Sequence, residues 1–495
     1  MMNKCKDQNQ NDYFGVALYE REISAEVTGE FILPDYQCEI RRILRVDTQV
    51  LPPAKYVSAS EVEFSGTVDF HVTYVGSDGE LYCTVLSEAY AFSVPIEVGG
   101  TENEISVLCG IRSDAVTTRV SAPRKLSIRC RLRPCVRVIG KRHVGAEIMG
   151  NEEDNSIFRR MERGVRLDCQ SSLSDIVPLS CVLPPLSDDV RIVSADATAT
   201  VSSVTCIQSG VRCQGKVYVK LLCVSDGGKF STRMKEIPFE IENEISLCEA
   251  SVRAVATVCD MTVNVGDEGV ECAMGVVSEV VACVNAEQEY TADAYSSEYE
   301  CGCITAPIAA RRMTVCGGGN ATLSERLSLS ETTIPADAEI IDVCGKAYVQ
   351  SCESLAGKYV FSGNADLSLI WRKDGEFGAQ ELHIPIKYEH SAAEDAAVAC
   401  FDASVTLDGL RCRIDGENLC VDAELWVSAD CMAESRLLAV EALEEGERYP
   451  VKRAAGLTVC YPDPEDTLWS IAKRYKVSPA SVTGEVGADR FVFVE

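Results

Sequence analysis

Apolar and polar side chains alternate along most of this chain. The run Phe64-Ser65-Gly66-Thr67-Val68-Asp69-Phe70-His71-Val72 places Phe64, Val68, Phe70 and Val72 on one side of an extended backbone. The same pattern returns in Cys213-Gln214-Gly215-Lys216-Val217-Tyr218-Val219-Lys220-Leu221 and in Phe361-Ser362-Gly363-Asn364-Ala365-Asp366-Leu367-Ser368-Leu369. A period of two predicts strands with one buried face. Each run leads to an Asp-Gly pair (Asp78-Gly79, Asp226-Gly227, Asp374-Gly375) and then to a second alternating segment. That arrangement predicts a β-hairpin.

The runs are copies of one unit. Their glycines, Gly66, Gly215 and Gly363, lie 149 and 148 residues apart, and the Asp-Gly glycine follows after 13, 12 and 12 residues. A glycine inside a strand predicts a bulge or a close backbone approach. Flanking features recur as well. Pro34, Pro185 and Pro335 precede the glycines; Val94-Pro95-Ile96, Ile237-Pro238-Phe239 and Ile384-Pro385-Ile386 follow them. Alternating runs beginning at Leu126, Val270 and Leu419 close each copy. A period this long marks separate domains rather than turns of a solenoid. The expected organisation is three tandem β-sandwich-like domains at about 15–150, 165–305 and 320–445. Gly150–Asn155 and Cys316–Asn320 read as linkers or loop tips between them.

The pattern changes near the C-terminus. In residues 455–495, Leu457–Tyr461 reads as a strand and Pro462–Glu465 as a turn. Leu468, Ile471, Ala472 and Tyr475 then fall on one face of a helix, with Asp466 or Thr467 as its N-cap. Ser478-Pro479 predicts the start of a second short helix, and Arg490–Val494 a closing strand. The fold class expected overall is mainly β, with a small C-terminal βααβ domain.

The run Asp466-Thr467-Leu468-Trp469-Ser470-Ile471-Ala472-Lys473-Arg474-Tyr475 resembles a LysM module, and the triplicated unit resembles the SPOCS domain. Several SPOCS units ending in LysM resemble the spore coat assembly proteins of anaerobic spore formers. That resemblance implies a non-enzymatic mother-cell protein at the forespore surface. Its tail would bind a coat-morphogenetic ATPase and its β domains other spore coat proteins. Two departures matter. Glu465 replaces the usual glycine before Asp-Thr, and Val482–Gly487 replaces the Leu-x-x-x-Asn stretch of the glycan groove. A protein partner is therefore expected over peptidoglycan, and a peptidoglycan-associated carbohydrate binder is the alternative. If the helix buries Leu468, Ile471, Ala472 and Tyr475, then Trp469, Lys473 and Lys476 share a more exposed face. With Asp466 and Thr467 they form the expected partner-binding set.

Composition narrows the picture further. Forty-seven basic against 76 acidic residues give a net charge of −29, which repels nucleic-acid phosphates and anionic lipids. No apolar run is long enough to span a bilayer, and the polar N-terminus lacks a signal-peptide core, so a cytoplasmic location is expected. Twenty-five cysteines, an odd number scattered at strand positions, are expected to be reduced core thiols. The run Gly210-Val211-Arg212-Cys213-Gln214-Gly215-Lys216-Val217 mimics a phosphate-binding loop, but Val217 replaces the Ser/Thr that would hold Mg²⁺. The four histidines, His71, His143, His383 and His390, fall in no ligand pattern. No catalytic residue, metal or cofactor is predicted.

Overall fold

A computed structural model describes residues 13–97, 105–144, 147–148, 156–247, 249–391, 396–450, 456–486 and 492–494. Strands dominate it, and one strand plan occurs three times. Unit one contains β1 (Tyr13–Glu22), β2 (Ala25–Ile32), β3 (Ile40–Val50), β4 (Ala54–Val57), β5 (Glu61–Gly76), β6 (Leu81–Pro95), β7 (Ile105–Ala122) and β8 (Lys125–His143). The two-residue β9 (Glu147–Ile148) follows. Unit two contains β10 (Ile157–Leu173), β11 (Val177–Leu183), β12 (Val190–Ile207), β13 (Gly210–Ser225), β14 (Phe230–Glu244), β15 (Ser251–Gly266) and β16 (Gly269–Ser296). Unit three contains β17 (Tyr299–Ser328), β18 (Glu339–Leu355), β19 (Lys358–Lys373), β20 (Glu376–Ser391), β21 (Cys400–Asp415) and β22 (Asn418–Arg448).

The predicted hairpins are β5–β6, β13–β14 and β19–β20, all antiparallel. Positive φ at Gly79 (87°), Gly228 (72°) and Gly375 (83°) turns each hairpin, so in unit two Gly228, one residue beyond the Asp226-Gly227 pair, carries the turn. Each hairpin joins a third strand, β3, β12 or β18, and each unit packs this sheet against a second one, such as β2–β8–β7 or β11–β16–β15. The alternating apolar positions fill the space between the sheets. In unit two that core includes Val217, Val219, Leu221, Val270, Cys272 and Val276.

Gly66, Gly215 and Gly363 lie where a neighbouring strand loses its regular pairing. Units two and three have a bulge there, at Ser202 and Gln350, and unit one a break at Leu51-Pro52-Pro53. A Cβ on Gly363 would collide with the Tyr348 carbonyl and come 2.8 Å from Val349 Cα. A Cβ on Gly66 would come 2.5 Å from the Tyr90 hydroxyl. Pro238 and Pro385 occupy edge strands opposite Lys216 and Asn364, where no ladder N–H is required. Pro95, by contrast, lies opposite Glu61, so the proline step of unit one is not equivalent to the other two.

Cys316–Asn320 is not a linker. It lies within β17, where Gly317, Gly318 and Gly319 pair with Ala429, Ser428 and Val427. The counterparts of β17 in the other units are divided into β1 with β2 and β10 with β11. In unit three the two merge, and the bare glycine backbone admits the Tyr388 hydroxyl beside Gly319. The other expected linker, Gly150–Asn155, lies outside the described residues. Many cysteines are buried in the cores as free thiols, including Cys130, Cys213, Cys272 and Cys431. Cys169 and Cys283 depart from the all-thiol expectation. They oppose each other on β10 and β16, with Cα atoms 4.4 Å apart, and are joined as a disulfide.

The three units close around a common axis, because equivalent positions from all three meet in two apolar clusters. One cluster contains Leu44, Val193 and Ile341, the extra residues of matching bulges in β3, β12 and β18, together with Leu81, Phe230 and Phe377. A bulge re-aims its side chain off the strand's regular face, and here all three point toward the axis. The other cluster contains Ile139, Cys283 and Met432, equivalent residues of β8, β16 and β22. Beside it four charges are buried. Arg137 Nη2 donates to Asp430 at 2.9 Å, Arg253 lies 2.7 Å from Asp430 and donates to Asp402 at 2.6 Å, and Arg137 stands 3.7 Å from Asp402. Burial, the largest influence on the Asp402 carboxyl, raises its pKa, but Arg253 and Arg137 together hold it below the usual value.

Two substitutions test this architecture. Asp430→Ala leaves Arg137 without its hydrogen-bonded carboxylate and two buried guanidinium groups sharing Asp402 alone, and is expected to cost about 3–5 kcal/mol, read as a lowered denaturant midpoint. Gly363→Ala forces a Cβ into backbone and is expected to cost about 1–3 kcal/mol by the same measurement.

Candidate functional site

The C-terminal tail departs from the expected βααβ order. Its elements are β23 (Thr458–Cys460), the helix α1 (Leu468–Tyr475), a single 3-10 turn at Pro479–Ser481, β24 (Val482–Gly484) and β25 (Val492–Val494). The second helix is thus one turn, started as predicted by Ser478 capping and Pro479 at its first position. An additional strand follows it. β25 lies between β23 and β24 in a three-stranded antiparallel sheet.

Asp466 and Thr467 act locally. Thr467 is the N-cap of α1 and forms a reciprocal capping box with Ser470. Asp466 accepts from the Asp463 amide at 2.9 Å, from Ser470 Oγ at 3.1 Å and from Arg474 at 2.6 Å, which ties the turn to the helix. Lys476 adopts the left-handed conformation (φ 59°) at the helix C-cap, and its ammonium lies 5.6 Å from the centre of the Tyr449 ring.

Trp469 and Lys473 face the rest of the chain. Trp469 Nε1 donates to Asp293 Oδ2 at 2.8 Å, and Lys473 Nζ donates to Asp293 Oδ1 at 2.5 Å. The Trp469 ring meets Tyr295 edge-on at 5.0 Å, and the Tyr295 hydroxyl donates to the Val477 carbonyl at 2.7 Å. Asp293 and Tyr295 belong to β16, and Phe158 of β10 joins the same apolar cluster. Ile471 and Ala472 are fully buried, as the helix pattern predicts, and Tyr475 is half-buried. Leu468, expected inside, is 40% exposed. The tail therefore shares a core with unit two, and the Trp469 side of α1 is its inner face. Leu457, Val459 and Leu468 are exposed elsewhere on the tail. No feature of the β16 sequence singled out Asp293 or Tyr295, since both sit in an ordinary strand pattern.

A chamber of about 960 Å³ occupies the axis between the two apolar clusters. All three units line it. Within it His71 stands 3.3 Å from Asp196, and Asp196 raises the His71 pKa against burial, which is the largest influence and lowers it. Lys220 donates to the Val343 carbonyl at 2.9 Å and to Asp342, which also pairs with Arg45 at 2.7 Å. Lys346 donates to Thr48 and Ser113 of unit one. The run resembling a phosphate-binding loop is the start of β13, a continuous strand with no helix after it.

No family model, curated protein or solved structure matches this chain. Among the described residues no helix is long and apolar enough to cross a membrane.

The Asp293 contact yields a pH prediction. Burial alone raises the Asp293 pKa and is the largest influence. Hydrogen bonds from Lys473 and Trp469 outweigh it and hold the carboxyl below its usual value. The contact thus contributes stability above the unfolded-state pKa of about 4 and loses it as pH falls through the lower folded value. Asp293→Ala is expected to release the tail already at neutral pH. The readouts are a red-shifted Trp469 emission and faster proteolytic separation of the tail, with the three units still folded.

Proposed function

We propose that this chain is a non-enzymatic assembly adaptor of the spore coat. It acts in the mother cell at the forespore surface, with its tail binding a coat-morphogenetic ATPase and its β units contacting other coat proteins. The observation that carries this reading is the manner in which the tail is held. Trp469, Lys473 and Tyr295 fix it to unit two through one face, so the rest of its surface is held in a set orientation, and Leu457, Val459 and Leu468 are exposed on it. A module carried rigidly on a closed three-unit body suits a protein that brings partners together. The LysM-like and SPOCS-like patterns supply the cellular setting and the kind of partner.

In this reading Trp469 and Lys473 serve the partner indirectly, by orienting the tail, and the exposed apolar side chains make the contact. Exposed apolar residues on a rigid module are a frequent basis for protein recognition. The experiment is a pull-down of the coat ATPase by the full chain. Val459→Asp combined with Leu468→Asp is expected to abolish capture while circular dichroism stays unchanged. Undiminished capture by the folded double variant overturns the reading. So does retention of the wild-type chain on insoluble peptidoglycan without capture of the ATPase.

A further inference from the structure

We propose that the axial chamber binds a small monocarboxylate with an apolar body, anchored on the ammonium group of Lys346. The chamber, about 960 Å³, falls in the range of small-molecule sites. Its wall combines apolar surface from Val255, Val258, Val405 and Leu407 with six carboxylates and six lysine or arginine side chains. Most of those charges are already matched. Arg112 and Arg133 pair with Glu22, Arg137 with Asp430, Lys220 with Asp342, His71 with Asp196, and Glu20 with Arg311.

Lys346 is different. Its Nζ donates to Ser113 Oγ at 2.8 Å and to Thr48 Oγ1, and Thr48 in turn donates to Ser113 at 2.6 Å. Among the described residues no carboxylate forms an ion pair with it, and the nearby Asp47 is taken by Arg45 at 2.7 Å. Arg21, the other lining cation without an ion pair among those residues, lies at the exposed end of β1. Lys346 is itself exposed to the water of the chamber, while the protein mass around it lowers its pKa. An ammonium ion held by two hydroxyls has unspent electrostatic capacity. An anion entering the chamber can make the charge-assisted bond to this ammonium that no wall carboxylate makes.

The apolar body of the ligand would lie along the valine and leucine wall. Entry is available where Met234 (57% exposed), Gln350 and Gly409 border the chamber and reach solvent. A single ammonium flanked by neutral hydroxyls matches the one charge of a carboxylate better than the two of a phosphate, for which the wall has no second unpaired cation beside it. This site shares no residue with the tail, so it stands or falls separately from the adaptor reading.

The test is isothermal titration of the full chain with octanoate, and with 1-octanol as the uncharged counterpart. Wild type is expected to bind octanoate at least about tenfold more tightly than octanol, the order of one charge-assisted hydrogen bond. Lys346→Gln is expected to abolish that preference, and Lys346→Met, of similar length, serves if the glutamine variant folds poorly. Asp408→Asn, elsewhere on the wall, is expected to leave both affinities unchanged. Absence of octanoate binding, equal affinity for octanol, or an unchanged preference in the folded Lys346 variant each overturns the proposal.

Discussion

Four charges buried where the three units meet are the interaction on which the closed body depends. Arg137 of unit one, Arg253 of unit two, and Asp402 and Asp430 of unit three neutralise one another with side chains almost wholly removed from water. In a symmetric trimer of identical copies, equivalent positions would carry like charges, and their repulsion in a poorly polarisable interior would force the ring open. Tandem duplication in one chain removes that restriction. The position of Arg137 in β8 corresponds to Val281 in β16 and Asp430 in β22. Divergence thus lets one unit supply cations and another anions at a single junction, which also fixes which unit lies beside which.

The other end of the axis follows the same logic with apolar side chains. Bulges at Leu44, Val193 and Ile341 each place one extra hydrophobic residue into a shared cluster. Around it, polar groups link the units pairwise. Arg191 reaches the Leu81 carbonyl, Arg42 that of Phe377, and Arg372 that of Gly228. Each guanidinium satisfies a backbone acceptor of a neighbouring unit, so the joints are specific. The chamber left between the two ends is the price of packing three rounded sandwiches around one line. The tail attaches away from that axis, on the outer part of β16, so its docking and the closure of the ring are physically separate.

Much of the fold was legible because strand patterning is local. Alternation, the Asp-Gly turns and the spaced glycines identified the three hairpins, and the glycine positions coincide with the predicted close approaches. Errors arose where local signals carry two meanings. Three glycines at 317–319 resemble a linker by composition, yet the partner strand β22 holds them in register. Ser478-Pro479 starts a helix, but the chain returns to strand after one turn because β25 offers pairing to Val482–Gly484. The helix α1 was read with its cap and two of its buried residues correct. Its amphipathic pattern could not reveal that Trp469 and Lys473 face Asp293, a residue more than 170 positions earlier in the chain.

By itself, then, the sequence determined the repeated strand pattern, the β class, the hairpins and the capped helix α1, since each rests on residues close together in the chain. Tertiary structure alone decided the closure into a ring, the Cys169–Cys283 bond, the axial chamber with Lys346, and the side of the tail that remains outside. Those features depend on which of many similar strands become neighbours. Period-two patterns specify a buried face but carry no address for the partner that covers it.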